Sequence, residues 1–248
     1  MDFSLSPEQE QIGDTARRFG AERLAPGYLA REQQGRIAPS LLREMGSLGL
    51  IGVDLPEVFG GLGADGVTAG LVIEGVAAAD LGVAYVQLLG SLMGSILARH
   101  GPPDIARDVV PRICRGERLV ALGLTEPRGG SDAANLQLKA RRDNEGYVLD
   151  GEKTSISMIE QAESIVVFAR TGEADSGARG VTAFHVPLEL PGISRFSFND
   201  VGSKVVGRGS VFFQDVKVPD EWRVGGEGDG FRTVMQGFDY SRALIGLQ

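Results

Sequence analysis

Hydroxyl-bearing and glycine residues in two segments have the types and spacing of a ligand-binding site. Thr125 follows the apolar residues 119–124, and Gly129-Gly130-Ser131 comes shortly after it. Successive backbone N–H groups in such a turn can hold an anion without lysine or arginine, because the amide dipoles point at the anion. Residues 151–157 (GEKTSIS) form a second hydroxyl-rich segment. A polar heteroaromatic ring with a phosphate tail would fit between the two segments.

The same residues are typical of a tight turn capped by a serine or aspartate side chain, and the residues alone leave both interpretations open. Residues 61–66 match the dinucleotide-binding pattern G-x-G-x-x-G. No alternating βαβ pattern surrounds them, so we predict a glycine-rich loop that leads into a helix. No serine lies in a G-x-S-x-G motif, which leaves a nucleophile elbow unsupported.

The sequence gives little support for a metal site, a disulfide framework or nucleic-acid binding. His100 and His185 lie far apart without partners at metal-ligand spacing, so we predict core or surface histidines and no metal site. The single cysteine, Cys114, is incompatible with an internal disulfide framework and is predicted to be a buried apolar residue. A net charge of -8 and the lack of a basic cluster argue against a nucleic-acid partner.

The N-terminus has no basic or apolar signal region, and a single cysteine suits a reducing compartment, so we expect a cytoplasmic protein. Residues 81–98 carry no charge over a length that could span a bilayer. Gln87, Ser91, Ser95 and three glycines dilute this segment. We therefore predict a helix buried in an all-α domain, and no membrane partner.

Apolar periodicity predicts a multidomain α+β protein. Ser6-Pro7-Glu8-Gln9 predicts a capped helix start. Helical patterns follow over residues 40–48, 65–80, 83–100 and 104–115. Short β-branched and aromatic segments predict strands over residues 147–150, 164–170, 180–186 and 210–218.

A final helical pattern begins near Phe231 and runs to Ile245. We therefore predict an all-α domain over residues 1–118, a β-barrel or sandwich domain over 119–229, and the first helix of an incomplete helical domain over 230–248. We expect the apolar residues of this last helix to be buried only by contacts with residues outside this chain. They are Val234, Met235, Phe238, Leu244 and Ile245.

Several motifs in collinear order together resemble the acyl-CoA dehydrogenase family. They are residues 124–132 (LTEPRGGSD), 147–153 (YVLDGEK), 166–171 (VVFART), 213–219 (FQDVKVP) and 226–231 (GEGDGF). Residues 3–9, which begin with Phe3, and residues 56–63 are similar to the N-terminal landmarks of that family. The similarity extends over essentially the whole chain.

The resemblance implies a helical N-terminal domain, a middle β domain and a C-terminal four-helix domain that hold FAD and an acyl-CoA. In such enzymes a carboxylate removes the α-proton while the β-hydrogen leaves as hydride to the flavin, which yields an enoyl-CoA. The resemblance also implies an electron-transfer flavoprotein as electron acceptor, and a homotetramer or a mixed oligomer.

The resemblance assigns roles to residues at matching motif positions. The expected flavin-binding residues are Leu122, Leu124, Thr125, Gly130, Ser131, Ser155 and Ser157. The expected acyl-CoA-binding residues are Ser131, near the pantetheine, and Phe238, Asp239 and Arg242, which contact CoA or support the catalytic loop.

Three positions depart from the family pattern. Ser155 replaces a common aromatic residue, which predicts a bulky, branched or alicyclic acyl group. Ser241 stands where some members have the catalytic base, and the usual glutamate lies in helices beyond those in this chain, so no catalytic residue is named. Arg128 replaces a small residue and is either a solvated loop arginine or a phosphate ligand. An alternative function is a non-catalytic CoA-binding, FAD-binding or structural subunit of a mixed oligomer.

Overall fold

The computed structural model of the chain describes residues 4–173 and 175–248. Phe3, the first residue of the N-terminal landmark, lies outside the described residues. The described residues form a helical N-terminal domain, a middle domain built on an eight-stranded sheet, and a helix after the sheet. The predicted order of helical domain, β domain and C-terminal helix is confirmed. The domain boundaries stay predictions.

The N-terminal domain consists of helices, with its longest connection over residues 48–65. They are α1 (Pro7–Phe19), α2 (Tyr28–Gln34), α3 (Pro39–Ser47), α4 (Gly66–Ala77), α5 (Leu81–His100) and α6 (Pro103–Cys114). The capping box predicted for α1 is present, because Ser6 Oγ accepts from Gln9 N at 3.2 Å and Gln9 Oε1 accepts from Ser6 N at 3.0 Å.

Helix α2 was not predicted, because the side chain that it buries is charged. Arg31 is 9% exposed and donates from Nε to Asp80 Oδ2 at 2.8 Å. The other carboxylate oxygen of Asp80 accepts from Val83 N at 3.1 Å and caps α5. A polar segment without apolar periodicity is therefore held to the domain by one buried ion pair.

Helix α5 is the central helix of the domain. It is long and apolar enough to cross a membrane, but 78% of its most apolar stretch is buried inside the protein. The polar Gln87 within it is fully buried and donates from Nε2 to Ala69 O at 2.9 Å. The prediction of a buried core helix is confirmed.

The glycine-rich residues 61–65 form a loop that leads into α4, as predicted. Asp65 caps this helix by accepting from Thr68 N at 2.8 Å. Cys114 is 4% exposed and lies in the core. His185 is also buried, near Ser164 Oγ at 2.9 Å, and burial lowers the pKa of its imidazole to about 4. Both side chains are therefore neutral core residues at pH 7.

The β domain contains β1 to β8 in the strand order β6-β7-β3-β2-β4-β5-β8, with β1 beside β4. The strands are β1 (Val120–Gly123), β2 (Lys139–Asp143), β3 (Gly146–Ile156), β4 (Ser164–Arg170), β5 (Val181–Pro187), β6 (Ile193–Ser197), β7 (Gly209–Pro219) and β8 (Arg223–Val224). Strands β2 and β6 were not predicted, because exposed polar residues dominate them. Strand β8 has only two residues, too few for a pattern.

Helix α7 (Gly230–Ile245) follows the sheet and packs against α4 and α5. Val234 is fully buried and Leu244 is 1% exposed, whereas Ile245 is 51% exposed. The expectation that all its apolar residues need cover from outside the chain is therefore wrong for Val234 and Leu244. Gly237 permits the close approach, because a Cβ there would lie 2.6 Å from Leu92 Cδ1 on α5.

Gly46 is the point where α3 meets the end of α6. A Cβ at this position would overlap the backbone carbonyl of Arg115, which cannot rotate away. We expect Gly46→Ala to lower the free energy of unfolding by roughly 1–3 kcal/mol, the usual cost of overpacking. Urea denaturation measures the change, with Gly202→Ala as control because no atom lies within 4 Å of a Cβ there. Equal stability of the two variants would contradict this packing.

Candidate functional site

A buried ion pair anchors the loop that follows β1. Lys153 Nζ on β3 lies 2.7 Å from Glu126 Oε1 and donates to Leu124 O at 3.1 Å. The Glu126 carboxylate also accepts from the backbone N–H groups of Gln137, at 2.6 Å, and Leu138, at 2.8 Å. One carboxylate therefore joins both ends of the loop to the sheet.

The ion pair lies in the core of the protein. Lys153 is fully buried, and burial lowers the pKa of its ammonium to about 8, while the neighbouring Glu126 carboxylate opposes that shift. Glu126 is 6% exposed. Each charge is costly to bury alone, so removal of either partner leaves an uncompensated charge in the core.

Backbone and hydroxyl contacts place the loop against β3. Thr125 O accepts from Thr154 N at 2.8 Å, and Thr154 Oγ1 in turn accepts from Ser210 Oγ on β7 at 2.8 Å. Gly129 N donates to Glu126 O at 2.9 Å and closes a turn in which Gly129 has a φ of 134°. A side chain is strained at that φ, so glycine suits the turn.

A β-bulge turns Ser155 out of the regular strand. The pairing of β3 with β7 shifts by one residue between Lys153, opposite Val211, and Ile156, opposite Gly209. Ser155 has a φ of 55°, in the left-handed region that non-glycine residues rarely adopt. Bulges of this kind commonly re-aim a side chain beside a functional site.

The loop, the bulge, α5 and α7 line an open cavity of about 330 Å³. Its lining residues come from all four elements and none of them is charged. They are Tyr85, Leu88, Leu89, Leu92, Leu122, Leu124, Thr125, Gly130, Thr154, Ser155, Ser157, Phe238, Ser241 and Ile245. Apolar walls that carry several hydroxyl groups suit a planar polar ring or an uncharged chain, because a charge would find no partner among the lining residues.

Most of the residues expected from the sequence meet in this cavity. The predicted flavin-side residues that line it are Leu122, Leu124, Thr125, Gly130, Ser155 and Ser157, and Phe238 lines it from α7. The remaining predicted residues are not among its lining residues. Ser131 is exposed on the loop, and Asp239 and Arg242 form an ion pair of 3.6 Å on the outer face of α7. The individual roles of all these residues stay predictions.

The α5 wall of the cavity was missed from the sequence. Its members share one helical stripe at i, i+3, i+4 and i+7, and they are Tyr85, Leu88, Leu89 and Leu92. This spacing is also that of ordinary core packing, so periodicity alone could not mark it as a binding surface. Ser241 was noted for its family position, but not as a lining residue.

The chain belongs to the acyl-CoA dehydrogenase family. Residues 6–117 match the model of the acyl-CoA dehydrogenase N-terminal domain, and residues 121–216 match that of the middle domain. The chain is 34% identical to the short-chain-specific acyl-CoA dehydrogenase of Megasphaera elsdenii, over 100% of this chain and 66% of that protein. The family predicted from the sequence is confirmed.

Solved structures share the fold over nearly the whole chain. A glutaryl-coenzyme A dehydrogenase in complex with glutaryl-CoA has a TM-score of 0.95 at 29% identity, covering 100% of this chain and 64% of that one. A glutaryl-CoA dehydrogenase from Mycobacterium smegmatis in complex with FADH2 has a TM-score of 0.89 at 25% identity, covering 98% and 61%. FAD as the cofactor of the family is therefore confirmed.

A chain in a structure described as the electron transferring flavoprotein of Acidaminococcus fermentans has a TM-score of 0.93 at 30% identity. The match covers 100% of this chain and 65% of that one. This chain thus spans slightly less than two thirds of the length of several relatives that it matches.

The buried ion pair gives a direct test of the loop anchor. We expect Lys153→Met to lower the free energy of unfolding by about 3–5 kcal/mol, because Glu126 is left charged and buried. Urea denaturation at pH 7 measures the loss. Lys139→Met on β2 is the control, since that lysine is exposed. A loss in Lys153→Met no larger than in the control would show that the pair does not anchor the loop.

Proposed function

We propose that this chain binds FAD and an acyl-CoA thioester and takes part in the α,β-dehydrogenation of the acyl group to an enoyl-CoA. The observation that carries the proposal is the uncharged cavity in which the loop after β1, the β3 bulge, α5 and α7 meet. Membership of the family supports it. When bound, FAD supplies the hydride-accepting chemistry.

The residues of the chain have two tasks in this proposal. The hydroxyl groups of Thr125 and Ser157 and the backbone of Gly130 hydrogen-bond the polar edge of the flavin ring, and Leu122 and Leu124 shield the ring from water. The α5 stripe and Phe238 enclose the acyl group on the other side of the cavity.

Proton abstraction is not assigned to a residue of this chain. Among the described residues that line the cavity there is no aspartate, glutamate or histidine. Ser241 lies in the cavity, but a hydroxyl is too weak a base at neutral pH to replace a carboxylate. This observation also favours the second candidate, a subunit that binds FAD or acyl-CoA without catalysis within a mixed oligomer.

The partners proposed for the chain follow its relatives. An electron-transferring flavoprotein is the proposed electron acceptor, supported by the similarity to a chain in such a system from Acidaminococcus fermentans. An oligomer, either of identical or of mixed subunits, and a cytoplasmic location are proposed with it.

The proposed acyl group is uncharged and bulky. A second carboxylate, as in glutaryl-CoA, would be buried without a cation among the lining residues, which costs several kcal/mol. Ser155 leaves open space beside the bulge that an aromatic side chain would fill. A branched or alicyclic acyl group would use that space.

Flavin binding and reduction test the proposed function. We expect the purified chain to bind added FAD, seen as flavin absorbance that stays with the protein on gel filtration. Thr125→Val is expected to weaken FAD binding about tenfold through loss of one hydrogen bond in the cavity. Thr15→Val is the control, because Thr15 lies on α1, does not line the cavity, and donates its hydroxyl only to Gln11 O within its own helix, at 2.9 Å.

Acyl-CoA added without oxygen then distinguishes the two candidate functions. Loss of the oxidised-flavin absorbance supports a dehydrogenase, whereas a spectral shift without reduction supports the binding subunit. A chain that retains no FAD would contradict the dehydrogenase, and a chain that binds neither FAD nor acyl-CoA would contradict both candidates.

The shape of the cavity predicts acyl-CoA selectivity. We expect cyclohexanecarbonyl-CoA to perturb the bound flavin spectrum at roughly tenfold lower concentration than glutaryl-CoA, because the cavity has no partner for a second carboxylate. In the unmodified chain, we expect cyclohexanecarbonyl-CoA to perturb the flavin spectrum at a lower concentration than butyryl-CoA. Ser155→Phe is expected to reverse this order. Ser203→Phe is the control, because Ser203 is exposed and has a similar φ of 54°. A preference for butyryl-CoA in the unmodified chain would contradict the bulky acyl group.

A further inference from the structure

A second cavity, of about 210 Å³, adjoins the first along α5. The α5 residues that line the first cavity lie between Tyr85 and Leu92, and those that line the second lie between Ser91 and Arg99. Leu92 lines both cavities at its close contact with Gly237 on α7, so its side chain separates them. We name the second one the polar cavity, because serine, aspartate, arginine and tyrosine side chains line it.

Two buried polar atoms of the polar cavity lack hydrogen bonds. They are Asp54 Oδ2 and Tyr240 Oη, and neither has a hydrogen bond of normal geometry within the part of the chain that the structure describes. Three other buried side-chain atoms there share this condition, on Gln87, Arg118 and Gln248, and none of these three residues lines the polar cavity. Because buried polar atoms are nearly always paired, two such atoms in one cavity indicate a site for a polar ligand.

The Asp54 carboxylate is held in place by its surroundings. Val53 and Leu55, on either side of it in the chain, are fully buried. Ser91 Oγ on α5 donates to Asp54 Oδ1 at 2.8 Å. Asp54 Oδ2 is therefore left as an acceptor for a donor that enters the cavity. Ser91 is one of the two serines that dilute the apolar sequence of α5, and this bond gives it a structural role.

Tyr240 places a hydroxyl group beside the same carboxylate. Burial, and then the negative charge of Asp54, raises the pKa of the Tyr240 phenol above its ordinary value, so the hydroxyl stays protonated at pH 7. Such a hydroxyl can both donate and accept a hydrogen bond. Ser95, one helical turn after Ser91, adds a further hydroxyl to the lining.

The charges of the lining favour a neutral ligand. Among the described residues that line the polar cavity, Asp54 and Arg99 are the charged ones, and they have opposite signs. A ligand with a net charge would therefore meet one attractive and one repulsive group. A hydroxyl group is neutral, and it can donate to Asp54 and accept from Tyr240 at the same time. The cavity is smaller than the roughly 300–1,000 Å³ that drug-sized ligands occupy, so the group that enters is small.

We propose that the polar cavity binds a small hydroxyl-bearing group, which donates to Asp54 Oδ2 and accepts from Tyr240 Oη. The group is either the far end of a hydroxylated acyl chain that extends past Leu92 or a free alcohol. The acyl source rests on the proposed function, because the adjoining cavity then holds the rest of the acyl group. The free alcohol does not rest on it.

Two pairs of probes test the proposal and distinguish the sources. Cyclohexanol donates and accepts a hydrogen bond, whereas cyclohexanone only accepts and cannot pair with Asp54 Oδ2. The matching pair for the acyl source is 4-hydroxycyclohexanecarbonyl-CoA and 4-oxocyclohexanecarbonyl-CoA. Ligand-observed NMR titration of the unmodified chain measures the four affinities. We expect the alcohol of at least one pair to bind roughly tenfold more tightly than its ketone, because a hydrogen bond to a carboxylate is gained.

Two variants locate this preference in the polar cavity. Asp54→Asn keeps an acceptor for Ser91 but adds an amide donor that suits a ketone, so we expect the preference to fall below about twofold. Tyr240→Phe removes a donor that both probes of a pair use, so we expect both to weaken roughly threefold. The controls are Asp104→Asn, whose side chain is 99% exposed on α6, and Tyr28→Phe, whose residue is 41% exposed on α2.

A preference confined to the CoA pair assigns the polar cavity to the acyl group, and one confined to the free pair assigns it to a separate alcohol. If neither pair shows a preference, or if the preference survives Asp54→Asn, the inference is overturned and the proposed function is unaffected. Tighter binding of β-alanine than of cyclohexanol also overturns it, because an ammonium and a carboxylate would then use Asp54 and Arg99. A chain that binds neither FAD nor acyl-CoA contradicts the proposed function, and the free pair still tests this inference.

Discussion

The ion pair between Glu126 and Lys153 is the interaction on which the arrangement of the cavity depends. The Lys153 ammonium and two backbone N–H groups occupy most of the acceptor sites of the Glu126 carboxylate. The loop after β1 is therefore anchored in the core by a carboxylate whose hydrogen bonds are satisfied. The residues that follow, from Pro127 to Ser131, are exposed and need no core packing of their own. Because the charges are compensated inside the protein, the hydroxyl groups and amides of the loop can face outward.

The second constraint is the close crossing of α5 and α7. Gly237 brings the two helices together at Leu92, and Val234 is fully buried beside this crossing. One side of the crossing contributes the apolar stripe of α5 and Phe238 to the cavity. The β domain contributes the opposite wall with its hydroxyl groups. The wall with most of the hydroxyl groups therefore comes from the β domain, and the wall with most of the apolar side chains comes from the packed helices.

The elements that could be predicted from the sequence are those with buried, periodic apolar faces. Strand β4 matches its predicted range, residues 164–170, because every residue in it is buried and β-branched or small apolar residues dominate it. Helix α2 could not be predicted, since its buried residue is Arg31, whose ion pair with Asp80 is a tertiary contact. Likewise, the identity of Ser155 is visible in the sequence, but its left-handed conformation depends on the register of β3 against β7.

The distribution of charge around the site divides the recognition of a ligand into two parts. Inside the cavity no lining side chain is charged, so the cavity favours an uncharged part of a ligand. At the rim, Arg128 and the residues that follow it to Asp132 are exposed, so a charged group there keeps part of its hydration and its desolvation cost is small.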